Sequence, residues 1–139
     1  MQISITLRIT GEFLSPDEIT NCLMVTPHIA RLKGQVRVSS SGKEIVSKTG
    51  IWTWKSEDLT NALTINDHIN RLKITFEGVY KLFSALPNAE IAWVDICIVK
   101  NDEEERDSTV DFLMDTKSIE ILNDVGLPVE FTIYANSTH

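Results

Sequence analysis

At 139 residues, with 42% hydrophobic and 24% charged side chains, the chain has the length of one globular domain and can bury a core without disulfide or metal. Its net charge of −7 repels phosphate backbones and anionic lipid, which argues against nucleic-acid and membrane-surface binding. No apolar run approaches the roughly 18 residues of a membrane span. Met1 to Thr10 has no secretory leader pattern, so the expected location is the cytoplasm.

The chain opens with alternation. Ile3, Ile5, Leu7 and Ile9 interleave with Gln2, Ser4, Thr6 and Arg8, the period of a half-buried strand. A helix start follows, with Ser15 at the N-cap, Pro16 in the first turn and Glu18 placed for a capping box. The expected helix spans 16–24, with Ile19 and Leu23 facing inward. Residues 25–47 are irregular, and Val36, Val38 and the Ser39–Gly42 cluster point to a short strand or hairpin there. A strand is expected over 49–55, with Trp52 and Trp54 on one face and Ile51 and Thr53 on the other.

Ile65, Ile69, Leu72, Phe76, Val79, Phe83 and Leu86 step by four and three, predicting one helix over 65–86, with Gly78 as the place where it bends or breaks. Residues 90–99 are almost wholly apolar and read as a central strand buried on both faces. The acidic run 101–107 reads as a turn. Val110, Phe112 and Met114 then alternate as a strand. Asp115 or Thr116 caps a third helix with Ile119, Leu122 and Val125 inward, stopped by Gly126 and Pro128. Val129, Phe131 and Ile133 form the last strand.

The expected fold is α+β, with a mostly antiparallel or mixed sheet and about three helices on one face. Its start is ferredoxin-like, β-α-β-β-α-β with the segment near 36–38 as the second strand, and β-α-β follows. One domain over 1–135 and a flexible tail over 136–139 are expected.

Few groups point to chemistry. His28, His68 and His139 sit in unrelated contexts, and Cys22 and Cys97 lie in apolar stretches that read as buried free thiols, so no Ser–His or Cys–His site is expected. No metal-ligand spacing, phosphate loop or dinucleotide fingerprint occurs, and no metal or cofactor is expected. Asp95, inside the apolar strand, is either a hydrogen-bonded structural carboxylate or a functional one. Trp52 and Trp54 are either core or a binding platform. Asp102, Glu103, Glu104, Glu105 and Asp107 are either a solvated loop tip or a patch for a basic partner.

A set of short motifs runs through most of the chain: Ile5-Thr6-Leu7-Arg8-Ile9, Ser15-Pro16-Asp17-Glu18-Ile19-Thr20, Thr26-Pro27, Lys33-Gly34, Lys48-Thr49-Gly50-Ile51-Trp52, Asp67-His68-Ile69-Asn70-Arg71-Leu72 and Phe131-Thr132-Ile133-Tyr134-Ala135. In this order the chain resembles the bacterial family called domain of unknown function 4279. Arg31-Leu32 stand where that family often has an aromatic before Lys-Gly. The resemblance implies a bacterial cytosolic α+β domain without an established activity, and it carries over no catalytic residue. Small acidic bacterial domains of this kind also occur as immunity proteins beside secreted toxins.

Two functions follow as expectations. One is a non-enzymatic protein-binding domain, an immunity protein that neutralises a basic toxin domain through the acidic run and Trp52 or Trp54. The other is a small-ligand or enzymatic domain with a pocket near Trp52, Trp54 and the 25–47 loop.

Overall fold

The computed structural model describes residues 2–56, 64–101 and 110–136. Among these residues, seven strands and three α-helices follow one another as β1 (Gln2–Gly11), α1 (Pro16–Leu23), β2 (Ile29–Arg31), β3 (Val36–Val38), β4 (Glu44–Val46), β5 (Gly50–Lys55), α2 (Ile65–Phe76), β6 (Ile91–Asn101), α3 (Thr116–Val125) and β7 (Val129–Asn136). A 3-10 helix, Tyr80–Ala85, lies between α2 and β6.

Five strands form one mixed sheet in the order β2-β5-β1-β6-β7. β1 lies antiparallel between β5 and β6, β2 is antiparallel to β5, and β7 runs parallel to β6. The β2-β5-β1-β6 portion therefore has the order and directions of two interleaved split βαβ units, the expected ferredoxin-like start. The final β6-α3-β7 unit adds a parallel border strand. One assignment inside this pattern is corrected. The second sheet strand is Ile29–Arg31, whereas Val36–Val38 pairs with Glu44–Val46 in a separate two-stranded hairpin. Pro27, two residues before Ile29, hides this short strand from a reading by alternation. The hairpin closes through Ser39 and Gly42, whose φ of +82° lies in the left-handed region glycine tolerates.

Alternation sends Ile5, Leu7 and Ile9, Trp52 and Trp54, and Val94, Ile96 and Ile98 to one face of the sheet, where all are buried. The three helices cover that face. Ile19 and Leu23 of α1, Ile65, Ile69, Leu72 and Phe76 of α2, and Ile121 and Val125 of α3 complete the core. The capping expected at Ser15 takes another form. The Ser15 side chain makes no capping bond, and its carbonyl instead accepts from the N–H groups of Glu18 and Ile19. A reciprocal capping box does form at α2, between Thr64 and Asp67, and the Thr64 backbone bond holds the Asp67 carboxyl below the usual carboxylate range.

Three further expectations are revised. The helix predicted over 65–86 ends at Phe76, because Gly78 takes φ +93° and breaks the ladder. The apolar stripe continues across the break, with Phe83 and Leu86 buried. Residues 110–114 form no strand. Asn66 on α2 holds the end of this segment, its Nδ2–H donating to the Leu113 carbonyl and its Oδ1 accepting from the N–H of Asp115, the next residue. In α3 the inward positions are Ser118, Ile121 and Val125, and Ile119 is exposed. Ser118 holds its inward place because its hydroxyl donates to Asn66 Oδ1 at 2.7 Å, which rotates the helix away from the purely apolar phase. β7 continues to Asn136, one residue past the expected domain end, and residues 137–139 of the expected tail lie outside the described residues.

Candidate functional site

The opposite face of the sheet carries no helix among the described residues. Alternation places Arg8 and Thr10 of β1, Ile51 and Thr53 of β5, Trp93 and Asp95 of β6, and Glu130, Thr132 and Tyr134 of β7 on it. These residues line a concavity of about 410 Å³ that crosses four strands. Register sets its rows: Thr53, Arg8 and Trp93 stand side by side on β5, β1 and β6, while Asp95 stands beside Glu130.

Asp95 is the hub. It is only 5% exposed, and it uses both carboxylate oxygens. Thr132 Oγ1 donates to Oδ1 at 2.8 Å, and Arg8 Nη2 donates to Oδ2 at 3.4 Å. The expectation that β6 is buried on both faces is thus corrected. Its helix side is sealed, but the side bearing Trp93, Cys97 and Val99 is half-buried and forms part of the helix-free face. Asp95 tolerates that position because a cation and a hydroxyl compensate its desolvation.

Trp52 and Trp54 are 0% and 7% exposed and belong to the core. The Trp52 indole donates to Thr20 Oγ1 at 3.1 Å, and both rings meet Phe76 edge-on. Neither is a surface platform. Trp54 does border a shallow depression of about 240 Å³ with His28, Lys55, Ser56 and Arg71, where the ligand pocket near the 25–47 loop was expected. Asp102, Glu103, Glu104, Glu105 and Asp107 lie outside the described residues, as does His139.

The histidines are less unrelated than their sequence contexts imply. His68 Nδ1 lies 2.8 Å from Ser56 Oγ, which also accepts from the Ile5 N–H at 2.8 Å. Both side chains are buried, so this Ser–His pair ties α2 to β1 and β5. Among the described residues no group of three or more His, Cys, Asp or Glu side chains is arranged to hold a metal ion. No helix among them is long and apolar enough to cross a membrane.

The thiols also depart from expectation. Cys22 is exposed and Cys97 half-buried, because the inward positions of α1 fall to Ile19 and Leu23 and because Cys97 lies on the helix-free face. Burial, with Asp95 nearby, pushes the Cys97 thiol above its ordinary value. A thiol reagent at pH 8 is therefore expected to modify Cys22 first and Cys97 at least about tenfold more slowly, since thiolate population and access both fall at Cys97. Peptide mapping after timed alkylation checks this, and equal rates would refute it.

A family model described as a domain of unknown function, DUF4279, matches residues 1–136. The chain belongs to this family. No curated protein and no solved structure matches it. In this DUF4279 chain the polar residues that converge are therefore assigned from geometry alone. Sequence reading singled out Asp95 and passed over Arg8, Trp93, Glu130 and Thr132. The signal was present as period-two alternation, but only the strand order brings β1, β6 and β7 together.

Proposed function

We propose that this chain is a non-enzymatic protein-binding domain, a bacterial cytoplasmic immunity protein that neutralises a basic toxin domain. The observation that carries the reading is an apolar patch on the border strand. Phe131 and Ile133 on β7 are 46% and 53% exposed, Leu113 is 80% exposed, and Phe112 stacks on Phe131 with ring centroids 5.7 Å apart. Exposed apolar side chains beside a strand edge that is unpaired among the described residues are the usual anchor of a protein interface. This patch takes the anchoring role that the buried Trp52 and Trp54 cannot fill. The net charge of −7 favours a cationic partner, and the carboxylates of Asp102, Glu103, Glu104, Glu105 and Asp107, close in sequence to Phe112, would raise the encounter rate. The accessible chemistry fits a binder better than an enzyme, since both members of the described Ser–His pair are buried.

Affinity capture from a bacterial host, repeated with the Phe131→Ser/Ile133→Ser double variant, tests the proposal. The parent chain is expected to retain a basic protein that the folded variant binds at least about thirtyfold more weakly, the effect of losing one hot spot of about 2 kcal/mol. Recovery of no basic protein, or equal retention by the variant, would refute it.

A further inference from the structure

The helix-free face supports a second, independent reading. We infer that the concavity centred on Asp95 binds a neutral saccharide.

The polar groups there are neither all donors nor all acceptors. Arg8 offers a guanidinium with five N–H donors, of which one is spent on the 3.4 Å contact to Asp95. Asp95 accepts one described hydrogen bond on each oxygen, which leaves lone pairs on both. Glu130 adds an exposed carboxylate in register beside it. Thr53 supplies a separate observation. It is 1% exposed and lines the concavity, yet its Oγ1 has no hydrogen-bond partner among the described residues. A buried hydroxyl left unmatched is costly, so a partner that hydrogen-bonds it is favoured.

Charge narrows the class of ligand. Asp95 and Glu130 repel an anion, and Arg8 at the centre of the row, paired with Asp95, offsets one of those two charges. What satisfies adjacent donors and acceptors without net charge is a set of neighbouring hydroxyls, each able to donate and accept. Trp93 completes the set. Its half-buried indole stands in register beside Arg8, and the weakly positive C–H face of a pyranose packs against the negative face of an aromatic ring. The volume of about 410 Å³ lies within the range of small-ligand sites and holds one or two sugar rings.

The test uses the purified full chain and needs no protein partner, so its outcome is separate from that of the immunity reading. Mono-, di- and trisaccharides of glucose, galactose, mannose and N-acetylglucosamine are titrated by calorimetry and by tryptophan fluorescence. At least one is expected to bind saturably with Kd below about 1 mM. Trp93→Ala should weaken that binding at least about tenfold and remove the fluorescence change, because Trp52 and Trp54 are buried on the other face. Glu130→Gln, at an exposed border position, should weaken binding about fivefold or more and keeps the test valid if the Trp93 variant does not fold. No saturable binding by any saccharide would overturn the inference. So would affinity unchanged in both variants, or preferential binding of a charged peptide or a nucleotide at the same residues.

Discussion

Replacing Phe76 with alanine is expected to destabilise the fold by about 3–5 kcal/mol, the usual loss for a fully buried phenylalanine. The ring is 0% exposed and sits where three elements meet. It lies edge-on to Trp52 at 6.4 Å and to Trp54 at 5.2 Å, and tilted against Phe83 at 5.8 Å. Each aromatic pair adds about 0.5–1.5 kcal/mol beyond area burial. The hole left by truncation would be lined by rings that cannot collapse into it, because Trp52 is held by its bond to Thr20 and Trp54 by the sheet. The midpoint of thermal unfolding should fall by roughly 10–20 °C for a domain of this size. Urea titration gives the free energy directly, and a loss under about 1 kcal/mol would show that the aromatic cluster does not carry the core.

The position of Phe76 was legible in the sequence because two periodicities converge there. The four-and-three spacing from Ile65 to Leu86 gives the inward stripe even though Gly78 interrupts the helix that carries it. The alternation at Trp52 and Trp54 gives the sheet face on which that stripe lands. Local pattern of this kind survives a break in secondary structure, since burial follows direction rather than hydrogen bonding. Partner choice is less legible. Nothing local says that Ile29–Arg31 rather than Val36–Val38 joins the main sheet, because both are three-residue strands and long-range pairing decides between them. In α3 a polar contact overrides the apolar phase: Ser118 turns inward to reach Asn66, fifty-two positions away, and Ile119 is left in solvent. The candidate site is hidden for the same reason. Asp95 looked anomalous on its own strand, whereas Arg8 and Thr132 looked like ordinary outward residues of two others. They become one constellation only when β1 and β7 flank β6.

Gly11→Ala is expected to cost at least about 3 kcal/mol, at or above the upper end of ordinary overpacking. Gly11 closes β1, paired with Gly50 at the start of β5. A Cβ at position 11 would stand 2.0 Å from the carbonyl oxygen of Asn88, inside any permissible contact. The obstacle is backbone, and several bonds hold it. The Glu90 N–H donates to the Thr10 carbonyl at 2.8 Å, the Ala89 N–H to the Leu86 carbonyl at 3.3 Å, and the Glu12 N–H to the Glu90 carboxylate at 2.8 Å. Asn88 itself already occupies the left-handed region at φ +58°. Relieving the clash means moving the turn that launches β6, the strand carrying both Val94 and Asp95. Gly42→Ala is the control. A Cβ there meets open space, so only the φ of +82° opposes it and the cost should be about 1–2 kcal/mol. Urea titration of both variants against the parent separates crowding from backbone strain. Equal losses at the two positions would mean that the Asn88 turn yields and that the junction of β1, β5 and β6 is looser than its geometry implies. The glycine that matters more is the one without any local mark, since its constraint comes from a segment seventy-seven residues downstream.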